Sequence, residues 1–580
     1  MADPVLQITP MQRFWRLLTP DKIEIRNVYL YSIFNGLINL SLPLGIQAII
    51  NLIQGGQYNT SWVVLVFFVV LGVAITGVLQ IFQLRITENL QQRIFTRAAF
   101  EFAYRIPRIR MEALYKHYAP ELMNRFFDII SVQKGLSKIL IDFSAASLQV
   151  IFGLILLSLY HPFFIIFSLV LVLIIFAIFR FTAKRGLDTS LKESKFKYQV
   201  AHWLEEMART ATTFKLAGKT DLPLNRADGY VDDYLKARES HFVVLVRQYS
   251  LMVVFKTLVA TGLLAIGGVL VMEQNMNIGQ FVAAEIIILL VMNSVEKLVT
   301  SLETIYDVLT ALEKVGQVTD LEMEAKGGVN LANECDECGI HIKMDDVSFT
   351  YPDLGRPTLS DLKINLKSNE RMVITGSSGS GKSTLLHILA GLYEVQKGIV
   401  SYNGFPKGNL EPDSLRSVVG DYLTQEQLFE GSVLENITMG RDSATFERVK
   451  WVVKNLKLQR FIENLPQGYE TRIDPQGKKL PMSTTQKILL ARSIVDHPKL
   501  LLLEDAFIHI EDKERKEIID FVLNPGPEVP WTLALVSSDR YVAERADSIL
   551  VLDEGKVVAQ GTYAQVKDIP QTNFTSKTDA

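Results

Sequence analysis

The chain has 580 residues, 48% of them hydrophobic, and a formal net charge of −3. That length predicts several domains, and that apolar content predicts a membrane protein. So small a net charge leaves no basic footprint for nucleic acid, which is therefore not an expected partner.

Residues 1 to 26 are polar and aromatic, without a short apolar core ahead of a small-residue cleavage site, so no cleavable signal is expected. Within them, PMQRFWRLLT (10 to 19) sets Phe14, Trp15, Leu17 and Leu18 beside Arg13 and Arg16. This is the pattern of a short elbow helix, either lying in the membrane interface or packed on protein. Long apolar runs follow at about 28 to 53, 61 to 82, 136 to 159, 162 to 181, 248 to 272 and 279 to 297. Each is near the ~20 residues that span a hydrocarbon core, so the sequence predicts six transmembrane helices in a lipid bilayer. The short connectors at 54 to 61, 160 to 162 and 273 to 278 contain no Lys or Arg, whereas the long connectors are rich in both. The positive-inside rule then places both termini in the cytoplasm.

The long connectors, about 83 to 135 and 182 to 247, carry apolar residues at spacings of three and four, as in Leu90, Ile94, Phe95, Ala98 and Phe102. They read as membrane helices extended into the cytoplasm, with breaks near Pro107 to Pro120 and Gly218 to Pro223. Ionisable residues inside the spans need compensation. Asp142 on the third span and Lys256 on the fifth lie at similar depths, so they are expected to pair or to share a polar cavity. Glu285 on the sixth span is either a substrate-pathway residue or a structural hydrogen-bonding group.

Hydrophobicity falls across 301 to 340, and a soluble domain with strand and helix alternating follows to about 566, opened by VSFTY (347 to 351). That alternation predicts an α/β core with a largely parallel sheet. Cys335 and Cys338, in the run NECDECG, form C-x-x-C without the second ligand pair of a zinc site, and a solvated linker is the expected reading. The expected division is 1–26 elbow segment, 27–310 transmembrane domain, 311–340 linker, 341–570 soluble α/β domain and 571–580 tail.

The strongest signal is RMVITGSSGSGKSTLLHILAG (371 to 391), an apolar strand, a glycine-rich turn and an amphipathic helix. Gly376, Ser377, Ser378, Gly379, Ser380, Gly381, Lys382 and Ser383 fit G-x-x-x-x-G-K-[ST], the phosphate-binding loop, with Thr384 following. Backbone N–H groups of such a turn cradle a polyphosphate at a helix N-terminus. Lys382 is expected to reach the β- and γ-phosphates of ATP, and Ser383 to hold Mg²⁺.

Six spans, two long extensions and a C-terminal phosphate-loop domain together resemble an ATP-binding cassette (ABC) exporter half-transporter. The fold class expected is an α-helical six-span transmembrane domain with long cytoplasmic helical extensions, followed by an α/β P-loop ATPase domain. The resemblance implies that Tyr351 stacks on adenine and that Gln425 is the Q-loop residue contacting Mg²⁺ and the transmembrane interface. It also identifies LPQGYETRIDPQGKKL (465 to 480) with the segment leading to the signature helix, and ARSIVDHPKLLLLED (491 to 505) with the helix and strand carrying Walker B. It implies a dimer of such chains with two ATP molecules sandwiched between cassettes, alternating access, and export of a substrate across the cytoplasmic membrane.

Four motifs depart from the family pattern. Counting back from Arg492 puts Leu480, Pro481, Met482, Ser483 and Thr484 where the family has L-S-G-G-Q; a two-residue gap aligns MSTTQ, ending at Gln486, instead. Neither keeps the glycine pair. Walker B ends in Glu504-Asp505, the reverse of the family's Asp-Glu, so a glutamate stands at the magnesium position and a shorter aspartate where water is polarised. Ser538 replaces the switch histidine, and Glu511 the D-loop aspartate. The catalytic candidates are therefore Asp505, Glu504 and Ser538, and ATP is expected to be bound better than it is hydrolysed. A regulatory or structural subunit in a heterodimer, or a nucleotide-gated passage, is the alternative. The Leu-, Ile-, Val- and Phe-rich spans suit a lipid, an amphipathic drug or a hydrophobic peptide equally, and no segment ahead of the first span is long enough for a leader-cleaving domain.

Overall fold

The computed structural model describes residues 8–54, 60–115, 117, 119–334, 339–423, 426–526, 529–572 and 574. The chain forms two compact units: Met1–Pro107 with His117–Leu321, and Arg108–Lys116 with Glu322–Ala580.

In the first unit, six helical segments among the described residues are long and apolar enough to cross a membrane: Pro10–Gln54, Thr60–Arg108, Ala119–Ser158, Pro162–Arg209, Leu222–Met272 and Ile278–Thr319. Helices suit these runs because a bilayer interior offers the backbone no other hydrogen-bond partners. The sixth helix forms the centre. Its Ala284, Ile287, Ile288, Val291 and Val295 are buried against Val150 and Leu154 of the third segment, Leu171 of the fourth and Phe255 and Val259 of the fifth. Phe67, Phe68, Ile166 and Leu169 instead point outward, as lipid-facing residues do.

Beyond the apolar runs the amphipathic spacing decides the packing. Leu90, Ile94 and Phe102 are buried and Phe95 is exposed. Leu90 and Ile94 pack with Leu18, Ile129 and Leu136. The first break is a 3₁₀ turn at Ile106–Arg108 followed by the short helix Met111–Leu114. The second runs through helix Ala211–Leu216 to Leu222, where Pro223 enters the first turn of the fifth helix. Helix Pro10–Leu18 is capped by Thr9, whose hydroxyl accepts from Gln12 N at 3.3 Å while the Gln12 side chain accepts from Thr9 N at 2.9 Å. Phe14, Leu17 and Leu18 pack on protein, while Trp15 is 62% exposed.

The expected partnership of Asp142 and Lys256 does not form. Lys256 Nζ donates to Glu296 on the sixth helix. Counting residues from a helix end fixes depth but not the direction a side chain faces. Asp142 also sits in the π-helical turn Ile139–Phe143, which shifts the phase of its helix. Glu285 is half-buried on the sixth helix.

In the second unit, strands β1 (Ile342–Phe349), β2 (Leu359–Leu366) and β4 (Lys397–Tyr402) form an antiparallel sheet in the order β2-β1-β4, extended by Phe405–Pro406. A second, six-stranded sheet contains β3 (Arg371–Gly376), β5 (Val419–Tyr422), β6 (Leu500–Glu504), β7 (Thr532–Val536), β8 (Ser548–Asp553) and β9 (Lys556–Gly561) in the order β9-β8-β3-β7-β6-β5. All its pairings are parallel except β8 with β9. Both faces of its middle strands are covered, which is why Leu500 to Leu503 and Leu533 to Val536 read as unbroken apolar runs.

A double-mutant cycle on thermal unfolding in lipid is expected to give Lys256→Ala with Glu296→Ala a coupling of about 1 kcal/mol, and Lys256→Ala with Asp142→Ala none.

Candidate nucleotide-binding site

β3 is hydrogen-bonded along both edges, to β7 and to β8, and its last residue begins the turn. Gly376 has φ +144°, and a Cβ there would stand 1.9 Å from the Leu552 carbonyl oxygen. Only glycine fits. Gly381, with φ +96°, immediately precedes helix Lys382–Leu389. The loop is further tied down by Ser377 Oγ, which donates to Asp553 at 2.5 Å. No bulky side chain closes over Gly379, whose missing Cβ would meet nothing within 4 Å.

Lys382 Nζ donates to the carbonyls of Gly376 at 3.0 Å and Ser377 at 2.7 Å. Loss of solvent lowers its pKa, while Asp505 and Glu504 oppose that shift. A positive charge is thus held at the mouth of the loop by the loop's own backbone. The Ser383 hydroxyl donates to Glu504, which ends β6. Asp505 follows with φ +49°, its N–H donating to Val536 O at 3.1 Å. Partial loss of water and then the neighbouring Glu504 charge raise its carboxyl above the ordinary range, with Lys382 opposing. The reversed acids therefore differ in place: Glu504 is buried on the serine that follows Lys382, and Asp505 is exposed at the turn.

The two nucleotide components are tested by this donor set. A glycine cradle, a half-buried ammonium and an open helix N-terminus suit a polyphosphate. Ser383 and Glu504 supply only oxygen, the ligand type magnesium takes. Gln425 lies outside the described residues, as do Cys335 and Cys338.

Tyr351 falls just past β1, with its hydroxyl 3.0 Å from Thr384 Oγ1. Its ring stacks on Tyr115 at a centroid distance of 5.2 Å and an interplanar angle of 23°, and meets Phe349 and Tyr393 edge-on. Tyr115 belongs to the short segment Arg108–Lys116, which is docked here by Glu112 accepting from Glu394 N at 2.7 Å and by Arg110 on Glu322 at 2.7 Å. Sequence reasoning missed Tyr115, because nothing local signals a contact spanning more than two hundred residues.

The segment proposed as signature starts helix Met482–Ile494, with Pro481 at its N-cap and Leu480 half-buried before it. Met482 is 62% exposed, and Ser483 and Thr484 occupy the first turn. Gln486 is buried and spent inside the cassette. Its Nε2 donates to Asp505 O at 3.1 Å and Tyr422 Oη at 3.2 Å, and its Oε1 accepts from His509 N at 3.0 Å. Arg492 Nε donates to Asn436 O at 2.8 Å. Ser538 is exposed just past β7, and Glu511 occupies the N-cap position of helix Asp512–Leu523 without a side-chain capping bond.

With this geometry in place, comparison with known proteins identifies the family. Residues 26–295 match the ABC transporter transmembrane region and residues 359–507 the ABC transporter cassette. The transport/processing ATP-binding protein ComA of Streptococcus pneumoniae R6 is 25% identical over 571 residues, covering 95% of this chain and 76% of ComA. The lactococcin-A transport/processing ATP-binding protein LcnC of Lactococcus lactis is 24% identical, with the same coverages. An ABC-type transporter of Curvularia clavata, kk1G, is 32% identical over 229 residues, which is 40% of this chain and 17% of that one. A solved structure of a bacterial Atm1-family ABC exporter with ATP bound superposes with a TM-score of 0.79, at 18% identity, over 94% of this chain and 96% of that one. The chain belongs to the ABC transporters and has the half-transporter architecture of an exporter: one membrane domain followed by one ATP-binding cassette.

Burial and then the charge of Asp421 push the Glu426 carboxyl up to about 9. Folded cassette therefore holds a proton that the unfolded chain releases above its ordinary value of 4.5, so stability falls as pH rises through that window. In calorimetry from pH 5 to pH 9 the cassette transition is expected to move steadily downward, and Glu426→Gln to flatten the trend.

Proposed function

We propose that this chain is one half of an ATP-driven exporter in the cytoplasmic membrane, with its termini and cassette on the cytoplasmic side, and that it binds ATP with magnesium more effectively than it hydrolyses it. The observation that carries this reading is the contrast between an intact phosphate loop and altered catalytic positions. Gly376 to Ser383 supply the cradle, Lys382 the charge for the β- and γ-phosphates, and Ser383 with Glu504 the oxygens for magnesium. Tyr351 offers a ring face for adenine. When bound, the ion screens phosphate charge; orienting the attacking water falls to the chain itself, and its candidate for that task, Asp505, is one methylene shorter than the family's glutamate. Ser538 carries no charge where a histidine would.

A second reading is favoured by a specific observation. Counted back from Arg492, the signature segment, which would face a partner's nucleotide, carries Met482, which is exposed, and Ser483 where the family has two glycines, preceded by the N–H-less Pro481. Both sites of a symmetric dimer would then be impaired, whereas a partner with an unaltered cassette would contribute one complete catalytic glutamate. A heterodimer in which this chain is the regulatory half follows from that asymmetry. The spans, rich in Leu, Ile, Val and Phe, suit an apolar or amphipathic cargo.

The test is ATP binding and turnover by the purified chain in lipid beside Lys382→Ala. Wild type is expected to bind ATP and to turn over below about 1 s⁻¹, the low end of enzyme rates. Lys382→Ala is expected to lose at least roughly tenfold in affinity, about 1.4 kcal/mol. Fast turnover by wild type alone would contradict the impaired-catalysis reading, and binding unaffected by Lys382→Ala would contradict the site.

A further inference from the structure

The helical extensions of the membrane unit line an open cavity of about 1070 Å³, walled by the N-terminal helix at Thr9 to Arg13 and by the extended third, fourth, fifth and sixth helices. Its charges do not cancel. Among the lining residues, Arg13, Arg125, Lys195 and Lys314 face Glu121, Glu313 and Asp320. Arg13 takes two of those acids at once, bonding Glu313 and Asp320 at 2.5 Å each. Glu121 is shared between Arg125 Nη2 at 3.2 Å and His202 Nδ1 at 3.4 Å. Just behind the wall, Lys197 adds a positive charge and Asp128, which accepts the Tyr198 hydroxyl, a negative one, so the excess is unchanged.

Two of these cations converge on one ring. Arg125 is only 9% exposed, yet its Nε and Nη1 have no hydrogen-bond partner. Lys314 is equally buried, and among the described residues no carboxylate lies within ion-pair distance of it or of Lys195 on the cavity's exposed side. Arg125 Cζ and Lys314 Nζ stand 4.9 and 5.4 Å from the centroid of one ring, Tyr198. Water can satisfy an N–H, but it does not neutralise two like charges taken out of solvent beside each other. A guanidinium with two nitrogens lacking partners, close to one ammonium group and in the same cleft as a second, matches the oxygens of a phosphate. The space is far larger than one inorganic ion needs and is of the size that holds an organic ligand.

We propose that this cavity binds an organic phosphate through Arg125, Lys314 and Lys195, at a site separate from the cassette. Two sources carry that chemistry: the headgroup of an anionic phospholipid, reached past the amphipathic helix Pro10–Leu18, and a free phosphate ester.

The full chain is reconstituted in phosphatidylcholine nanodiscs, and its thermal midpoint is followed while phosphatidylglycerol is added to the discs or glycerol 1-phosphate to the buffer. Wild type is expected to be stabilised by one of the two. Lys314→Gln and Lys195→Gln are each expected to raise the half-saturating concentration at least about tenfold, and Arg125→Gln to abolish the response. Lys195, being exposed, tests the site without risk to folding. Response to the lipid alone identifies a headgroup site, and response to the soluble ester a metabolite site. No stabilisation by either probe, or equal responses in wild type and Lys195→Gln and Lys314→Gln, overturns the proposal.

Discussion

At the end of β3 the backbone of Gly376 comes so close to the Leu552 carbonyl that a single added carbon would stand 1.9 Å from it. That approach is possible because β3 is pinned on one side to β7 and on the other to β8, four or five residues in register on each edge. The turn that follows inherits its position from the sheet rather than from its own contacts. Lys382 can then be aimed by loop carbonyls, and Ser383 can reach the end of the neighbouring-but-one strand at Glu504. Every proposed contact with nucleotide depends on this placement, since misplacement on the order of 1 Å is enough to lose about a hundredfold in rate.

The same sheet explains why the altered residues are not evidence of a decayed fold. Asp505, Gln486 and Arg492 are held by specific hydrogen bonds, to Val536, to His509 and Tyr422, and to Asn436. The frame around Glu504, Asp505 and the segment proposed as signature is ordered, while the groups proposed to act there differ from the pattern that the family resemblance implies. A cassette that binds and positions nucleotide, with chemistry slowed or supplied in part from elsewhere, fits that combination. The stack of Tyr115 on Tyr351 adds a mechanical feature: the short segment between the second and third membrane helices touches the ring proposed to receive adenine. Nucleotide arriving at Tyr351 would be felt directly by a segment covalently continuous with the membrane helices.

Much of this was legible in the sequence because it rests on periodicity or on local motif chemistry. Runs of about twenty apolar residues marked the membrane helices, spacing of three and four marked Leu90, Ile94 and Phe102 as an inward face, and the loop from Gly376 to Ser383 announced its own turn. What was not legible depends on rotation or on distant pairing. Lys256 finds Glu296 because of the direction each faces on its helix, which residue counting does not give, and a π turn at Ile139–Phe143 leaves no sequence mark. Gln486, which ends one of the two possible signature registers, is a buried brace whose partners lie 19 or more residues away in sequence. The Arg125 and Lys314 cluster was hidden for the same reason: its members come from different helices and meet only when the extensions pack.

The central claim is that reversing the two acids leaves Glu504 in the metal-facing place beside Ser383 and Asp505 outside it. Titration calorimetry of ATP onto the full chain in lipid, with and without magnesium, tests it directly. The account expects Glu504→Gln to lose most of the magnesium-dependent gain in affinity and Asp505→Asn to retain it. Loss confined to Asp505→Asn would contradict the assignment and place the metal on the aspartate instead.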